Sequence, residues 1–300
     1  MPAVALPEDV RDRIARLSVG AFGLVEGSLA GLHKSPYQGF SVEFAQHREY
    51  TWGDELRHVD WKVFARTDRH YVKQYEEETN LQATIVLDQS ESMLYRGSRA
   101  QASKYEYAAT LAAGLAFVLL RQQDAAGLVL FDDQVRRRLP PSAHPAQLRN
   151  MTSAMAEVEL RAETTAGPVL HQLADELTRR GVVFIISDLL FPRAQLLDGL
   201  KHLRHKRHDV VVLQVVDPDE LSFPFEDMTR FEGLEVPRAL LVDPRALRQG
   251  YLEALGEFLR EVEAACTEAR ADHVRMDTGA PVGVALARFL SQRLGRRGRG

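Results

Sequence analysis

The sequence contains one cysteine, Cys266. That excludes an intrachain disulfide framework and any zinc centre built on several cysteines. Long hydrophobic runs are also missing. The longest covers thirteen residues, 108–120, and is interrupted by Thr110 and Gly114, whereas a membrane helix needs about 20. The opening MPAVALPEDVRDRIAR turns acidic and charged from Glu8, where a secretory leader would stay apolar. No charge of one sign prevails: 38 Lys+Arg stand against 42 Asp+Glu, a net −4. A strongly basic, whole-chain nucleic-acid binder is therefore excluded. Internal repeats are absent, and the only low-complexity stretch is the Arg/Gly end. These absences predict a soluble, most simply cytoplasmic protein with no membrane span and no nucleic-acid partner. What remains is an ordinary globular composition, 45% hydrophobic and 27% charged over 300 residues, long enough to bury roughly three quarters of its unfolded surface without staples.

Two textures divide the chain. Residues 1–80 are polar and aromatic, with helix signals near Glu8–Leu17 and Val19–Leu32, a short helical face through Leu56, Val59, Val63 and Phe64, and an alternating strand at His70–Tyr75. From Leu81 onward, short β-branched runs alternate with amphipathic stretches, the mark of an α/β domain. The expected strands are Leu81–Leu87, Ala126–Phe131, Val182–Ile186, Val210–Val216 and Ala239–Val242, with a weaker one at His273–Met276. Nearly continuous apolar runs fit parallel strands covered on both faces. Val135–Leu139 follows the turn-like Asp132-Asp133 and reads as an edge strand hairpinned to its predecessor. Helices are expected at Ser103–Gln123, Pro145–Val158, Gly167–Arg180, Arg193–Lys206, Pro244–Ala271 and Pro281–Leu294. Three of these begin near a proline, where a missing N–H costs little.

The segment that carries chemistry is Asp88-Gln89-Ser90-Glu91-Ser92, entered directly from an apolar strand. In extended chain alternate residues point the same way, so Asp88, Ser90 and Ser92 present one carboxylate and two hydroxyls to one point. Such hard oxygen donors suit magnesium, manganese or calcium. The carboxyl end of a parallel strand is also where open α/β sheets place their ligands. Ser187-Asp188 ends a second apolar strand, and Glu163-Thr164-Thr165-Ala166-Gly167 supplies hydroxyls just before a helix.

This set, Asp-x-Ser-x-Ser followed by a threonine and a later aspartate, resembles the metal-ion-dependent adhesion site of von Willebrand factor A domains. The resemblance implies that Asp88, Ser90, Ser92, Thr164 and Asp188 hold a divalent cation, magnesium first and manganese or calcium as alternatives, directly or through water. Thr164 is assigned by aligning Gly167-Pro168-Val169-Leu170 with the end of the threonine motif; Thr165 is the alternative, since Glu163 stands where that motif usually has a glycine. The N-terminal block, through Gly39-Phe40-Ser41-Val42-Glu43-Phe44, Arg48-Glu49-Tyr50, Gly53-Asp54 and Arg57-His58-Val59-Asp60-Trp61, is similar to the bacterial family called domain of unknown function 58. The likeness runs from about Leu32 to Leu290. It implies an α/β, von Willebrand A-like (Rossmann-like), mostly parallel sheet covered by helices on both faces over 81–292. A small N-terminal α+β attachment over 1–80 and a basic flexible tail over 293–300 complete the expected domains. The implied function is that of a metal-dependent protein–protein interaction module rather than an enzyme. Its implied partner is a MoxR-type AAA+ ATPase, or that ATPase's client, engaged through an acidic residue in protein maturation or complex assembly.

Other readings attach to the same residues. Asp88-x-Ser90-x-Ser92 alone also fits a polar turn capping a helix. A metal-dependent hydrolase of phosphate esters would need a cationic clamp, for which Arg96, Arg99 and Lys104 are the nearby candidates; a structural protein with a relict metal site needs none. No nucleophile elbow or phosphate loop is present. His202, His205 and His208 read as a basic helix C-terminus rather than a zinc cluster. Phe223, Phe225 and Phe231 are expected to pack against the body, and Cys266 to be a small buried hydrophobe.

Overall fold

The computed structural model of the chain describes residues 4–5, 8–10, 12–14, 16–17, 39–49, 63, 71–79, 81–160, 166–234 and 239–297. Residues 1–36 and 82–300 form one compact unit, and 37–81 form a second. In the second unit, strand β2 (Gly39–Glu49) pairs antiparallel with β3 (Tyr71–Thr79). The strand expected at His70–Tyr75 corresponds to the start of β3, whereas β2 was not expected, although Phe40, Val42 and Phe44 alternate with Ser41 and Glu43. The helices expected at Val19–Leu32 and around Leu56–Phe64 fall outside the described residues, except for helical Val63. The start of the chain does not stay with an N-terminal attachment ending at residue 80. Strand β1 (Val4–Ala5) pairs with β7 (Glu159–Leu160), and the Arg13 guanidinium holds Glu106 at 2.5 and 3.1 Å.

The large unit is built on a six-stranded sheet in the order β12-β9-β8-β4-β5-β6. These strands are β4 (Gln82–Asp88), β5 (Ala125–Phe131), β6 (Val135–Ser142), β8 (Val182–Ser187), β9 (Asp209–Val216) and β12 (Asp272–Asp277). All neighbours are parallel except β5 and β6. The α/β fold class is thus the one expected. Strands β4, β5 and β8 lie inside the sheet and are apolar on both faces, because helices cover both sides. Edge strand β6 carries Arg136, Arg137, Arg138 and two prolines instead, a composition that discourages a further strand from adding there. Ala239–Val242 does form a strand, β11, but outside this sheet. Among the described residues it pairs with β10 (Thr229–Glu232) alone, a partner too short and polar to stand out in the sequence.

Helix α1 (Lys104–Arg121) packs over β4 and β5, capped by Ser103, whose Oγ accepts from the Glu106 N–H. Helices α2 (Gln147–Ala156), α3 (Ala166–Glu176), α4 (Arg193–His205), α5 (Pro218–Ser222), α6 (Pro244–Glu268) and α7 (Val282–Arg297) follow. On one face Val86, Ile185 and Val212 meet Leu173, Leu200 and buried Cys266. On the other, the ring of Phe184 stands edge-on to Phe289 at 6.3 Å. Gly199 lets α4 approach α3: a Cβ there would sit 2.6 Å from that of Leu170. Residue 293, where the flexible tail was expected to begin, lies within α7. Arg293 is 5% exposed within α7, bonding Asp272 at 2.5 Å and also Asp209. Among the described residues no helix is long and apolar enough to cross a membrane.

Candidate metal centre

Strand order reverses between β4 and β8, since their crossovers run to opposite sides of the sheet. This switch point opens a crevice at the carboxyl ends of the two strands. Asp88 ends β4 and Ser187 ends β8, so the crevice receives both sequence motifs. Asp88 is fully buried. Its Oδ1 accepts the Ser90 N–H at 2.9 Å, and its Oδ2 accepts the Ser187 hydroxyl at 2.6 Å. After Asp88 the chain turns through the 3-10 segment Glu91–Leu94, and the Ser90 and Ser92 carbonyls accept from Met93 and Tyr95 N–H. That turn leaves Ser90 Oγ and Ser92 Oγ 3.0 Å apart, both buried.

Asp188 follows β8 and is also buried. The next residue, Leu189, has φ 62°. A side chain other than glycine pays roughly 1–2 kcal/mol for that conformation, and such costs concentrate at functional sites. The turn is pinned by the Leu189 N–H donating to Ser187 Oγ at 2.9 Å. Asp188 Oδ2 accepts from Lys104 Nζ at 2.7 Å, and the same ammonium reaches Glu220 Oε1 at 2.8 Å. Burial, followed by the nearby charge of Asp188, pushes the Asp88 carboxyl up to about 7, against the pull of its hydrogen bonds from Ser187 and Ser90. Burial draws the Lys104 ammonium down, yet Asp188 and Glu220 outweigh it and hold the group above its ordinary value. Two acids therefore face one crevice with one lysine between Asp188 and α5.

Helix α5 forms the wall beyond Lys104. Asp217 caps it, with Asp217 Oδ1 accepting from Asp219 N–H and Glu220 Oε2 accepting from Asp217 N–H, a reciprocal capping box. Asp217 Oδ2 also takes Gly97 N–H and the Thr278 hydroxyl. Asp219 takes the Ser98 hydroxyl at 2.8 Å and Arg99 Nε at 2.7 Å. An open groove of 640 Å³ adjoins, lined among others by Tyr95, Phe223, Phe225, Phe231 and Tyr251. The three phenylalanines pack on one another, and Phe223 on Tyr251 of α6, with centroids 4.6–5.5 Å apart. Packing against the body is thus what the loop does.

Of the residues expected to bind metal, Asp88, Ser90, Ser92 and Asp188 come together at the switch point. Thr164 lies outside the described residues. Sequence reasoning passed over Ser187, although it stands beside Asp188, and the Asp217-Pro218-Asp219-Glu220 run, whose proline at N1 and glutamate at N3 signal a helix start. Lys104 entered only as a clamp for phosphate; its carboxylate partners are 84 and 116 residues away in sequence. Among the described residues no three His, Cys, Asp or Glu cluster for a metal, so a cation here depends on hydroxyl donors. The donors present fit a small hard ion. Magnesium takes octahedral oxygens at 2.0–2.1 Å, so adjacent ligands lie about 2.9 Å apart, close to the 3.0 Å between the two serine oxygens.

Residues 46–257 match the family model described as "Protein of unknown function DUF58". An uncharacterised protein of Mycobacterium tuberculosis, Rv1480, and its counterpart Mb1516 in Mycobacterium bovis are each 26% identical over 281 residues, covering 91% of this chain and 86% of theirs. Among solved structures, an aerotolerance-related membrane protein from Bacteroides fragilis shares the fold at 17% identity and TM-score 0.51, covering 72% of this chain and 99% of that one. The SpRpn10 VWA domain aligns at 13% identity and TM-score 0.40, over 70% of this chain and 95% of that domain.

Proposed function

This chain belongs to the DUF58 family, and we propose that it acts there as a divalent-cation-dependent protein-interaction module. The observation that carries the reading is the pairing, at the switch point, of two buried carboxylates with two serine hydroxyls spaced like neighbouring ligands of an octahedral ion. Asp88, Ser90, Ser92 and Asp188 would hold the ion, with Thr164 as the further donor that the von Willebrand A resemblance implies. Magnesium keeps several waters when few protein carboxylates bind it. The ion supplies a Lewis-acidic position at which a partner's Asp or Glu can replace a water. The protein positions the donors: the Ser187 hydroxyl and the Ser90 N–H orient Asp88, and the left-handed turn at Leu189 follows Asp188 into the crevice. The partner class that the family resemblance implies is a MoxR-type AAA+ ATPase or its client.

The phosphate-ester hydrolase reading draws less support. Arg99 is taken by Asp219 and by α5, and Lys104 by Asp188 and Glu220. Of the three candidate clamp residues, two are already engaged.

The test is association with a co-expressed MoxR-type ATPase, measured in magnesium, in chelator, and with Ser90→Ala plus Ser92→Ala. The expected outcome is complex formation in the first condition and at least a tenfold loss in the other two. Equal association in all three overturns the adhesion-site mechanism.

A further inference from the structure

We infer that Lys104 is a built-in competitor of the metal, an ammonium that neutralises Asp188 while the site is metal-free and withdraws to Glu220 when a divalent cation arrives. The inference rests on the metal reading above and adds what sets the affinity and what changes on binding. Its ground is geometric. Lys104 is 1% exposed, and its Nζ stands between two carboxylates on different elements, 2.7 Å from Asp188 Oδ2 and 2.8 Å from Glu220 Oε1. Lysine is almost never fully buried unless paired. A buried pair kept for stability alone brings little, because desolvation consumes the Coulombic gain. Here the pair includes one of the carboxylates assigned to the ion.

The arrangement provides a place for the displaced ammonium. Glu220 is aimed by its other oxygen, which accepts the Asp217 N–H at 2.9 Å, so Oε1 stays turned toward Lys104. Asp188 Oδ1 accepts from Leu190 N–H at 3.3 Å, so the ammonium on Oδ2 sits on the same small carboxylate that the ion would use. Two cations on one carboxylate repel, and a lysine stem can turn its three N–H groups onto Glu220 without leaving the crevice. The Tyr95 ring, 5.8 Å from Nζ, borders the same space. A site that must expel its own cation binds metal weakly alone and more tightly once a partner's carboxylate adds its charge. Metal and partner therefore reinforce one another, as reciprocal linkage requires.

The probe is Mn²⁺ alone, with the free ion read by its electron paramagnetic resonance signal at pH 8 on the whole chain. Lys104→Met is expected to tighten Mn²⁺ binding at least tenfold, about 1.4 kcal/mol. Glu220→Gln is expected to weaken it at least threefold, since the ammonium then rests on Asp188 alone. In the double variant the Glu220→Gln effect should vanish, because its only route is through Lys104. An ion pair that merely held the fold would move the melting temperature and leave these affinities unchanged. If the parent binds Mn²⁺ and Lys104→Met binds it no more tightly, the inference fails while the metal reading stands. If neither binds, the metal reading fails and takes this one with it. Binding by Lys104→Met where the parent takes none supports the competition outright. Should Lys104→Met not fold, Glu220→Gln decides by itself, and an unchanged affinity there overturns the inference.

Discussion

Removing the charge of Asp88 should stabilise the metal-free protein at neutral and alkaline pH. Its carboxyl is raised from the usual 3.8 to about 7 by burial and by Asp188. The folded chain binds that proton more tightly than the unfolded chain, so stability is highest below pH 4. It falls as pH climbs toward 7 and stays reduced above that. A rise of about three pH units corresponds to about 4 kcal/mol at 1.36 kcal/mol each. Asp88→Asn removes this penalty, and the strengthening that the charge gives to the Ser187 and Ser90 hydrogen bonds is already netted within it. At pH 8 in chelator the expected gain is about 4 kcal/mol, or about 8–16 °C in melting temperature for a domain of this size. At pH 4 the parent's carboxyl is protonated in the fold, so the variant should melt close to the parent. Saturating magnesium narrows the gap at pH 8, because the parent alone gains about 2.7 kcal/mol at a hundredfold excess over Kd. Circular dichroism melts across pH 4–8, with and without metal, read all three outcomes. An Asn variant less stable than the parent by the same amount at pH 4 and pH 8 refutes the electrostatic reasoning.

Two further substitutions test how the surroundings are held. Gly97→Ala places a Cβ 2.7 Å from Asp219 Oδ2 and closer still to Asp217 Oδ1, so the loop must shift; a loss of about 2 kcal/mol in urea unfolding is expected, and an unchanged midpoint would mean that the loop gives way freely. Arg293→Ala removes the buried guanidinium that joins α7 to Asp209 and Asp272; because both carboxylates are about one-third exposed, the cost should be about 1–2 kcal/mol rather than the larger figure of a fully buried pair, and it should shrink in high salt.

The buried parallel strands were legible because each is a nearly continuous apolar run, and β4, β5, β8 and β9 fall within a residue or two of their expected bounds. What ends the helices was not legible. Three of them stop in the same way, with a left-handed residue and a following N–H returned to the third carbonyl from the end. Gln123 precedes the bond from Asp124 to Leu119, Arg207 that from His208 to Leu203, and Arg270 that from Ala271 to Cys266. Glycine usually marks this motif; here Gln123, Arg207 and Arg270 take the left-handed position instead. The metal motif was legible where it is local, in Asp88, Ser90 and Ser92. The partners of its charges were not, since Lys104, Asp188 and Glu220 meet only through tertiary packing.

Charge accounts for why this crevice, rather than the acidic α5 beside it, is the place for a cation. Asp217 spends its oxygens on three N–H groups and a hydroxyl: the capping N–H groups of Asp219 and Glu220, the Gly97 N–H and the Thr278 hydroxyl. Asp219 is closed by Ser98 and Arg99, which hold its carboxyl below the usual range despite burial. Asp188 and Glu220 divide one lysine. Asp88 is fully buried, as Asp217 is, but it has fewer donors, the Ser187 hydroxyl and the Ser90 N–H, and both are neutral. It is therefore the group for which a cation brings the largest gain, and it is the group that the two serine hydroxyls flank. A dication would settle the charge of Asp88 and, on displacing Lys104, that of Asp188 as well, while the acids of α5 offer it nothing that is not already bound.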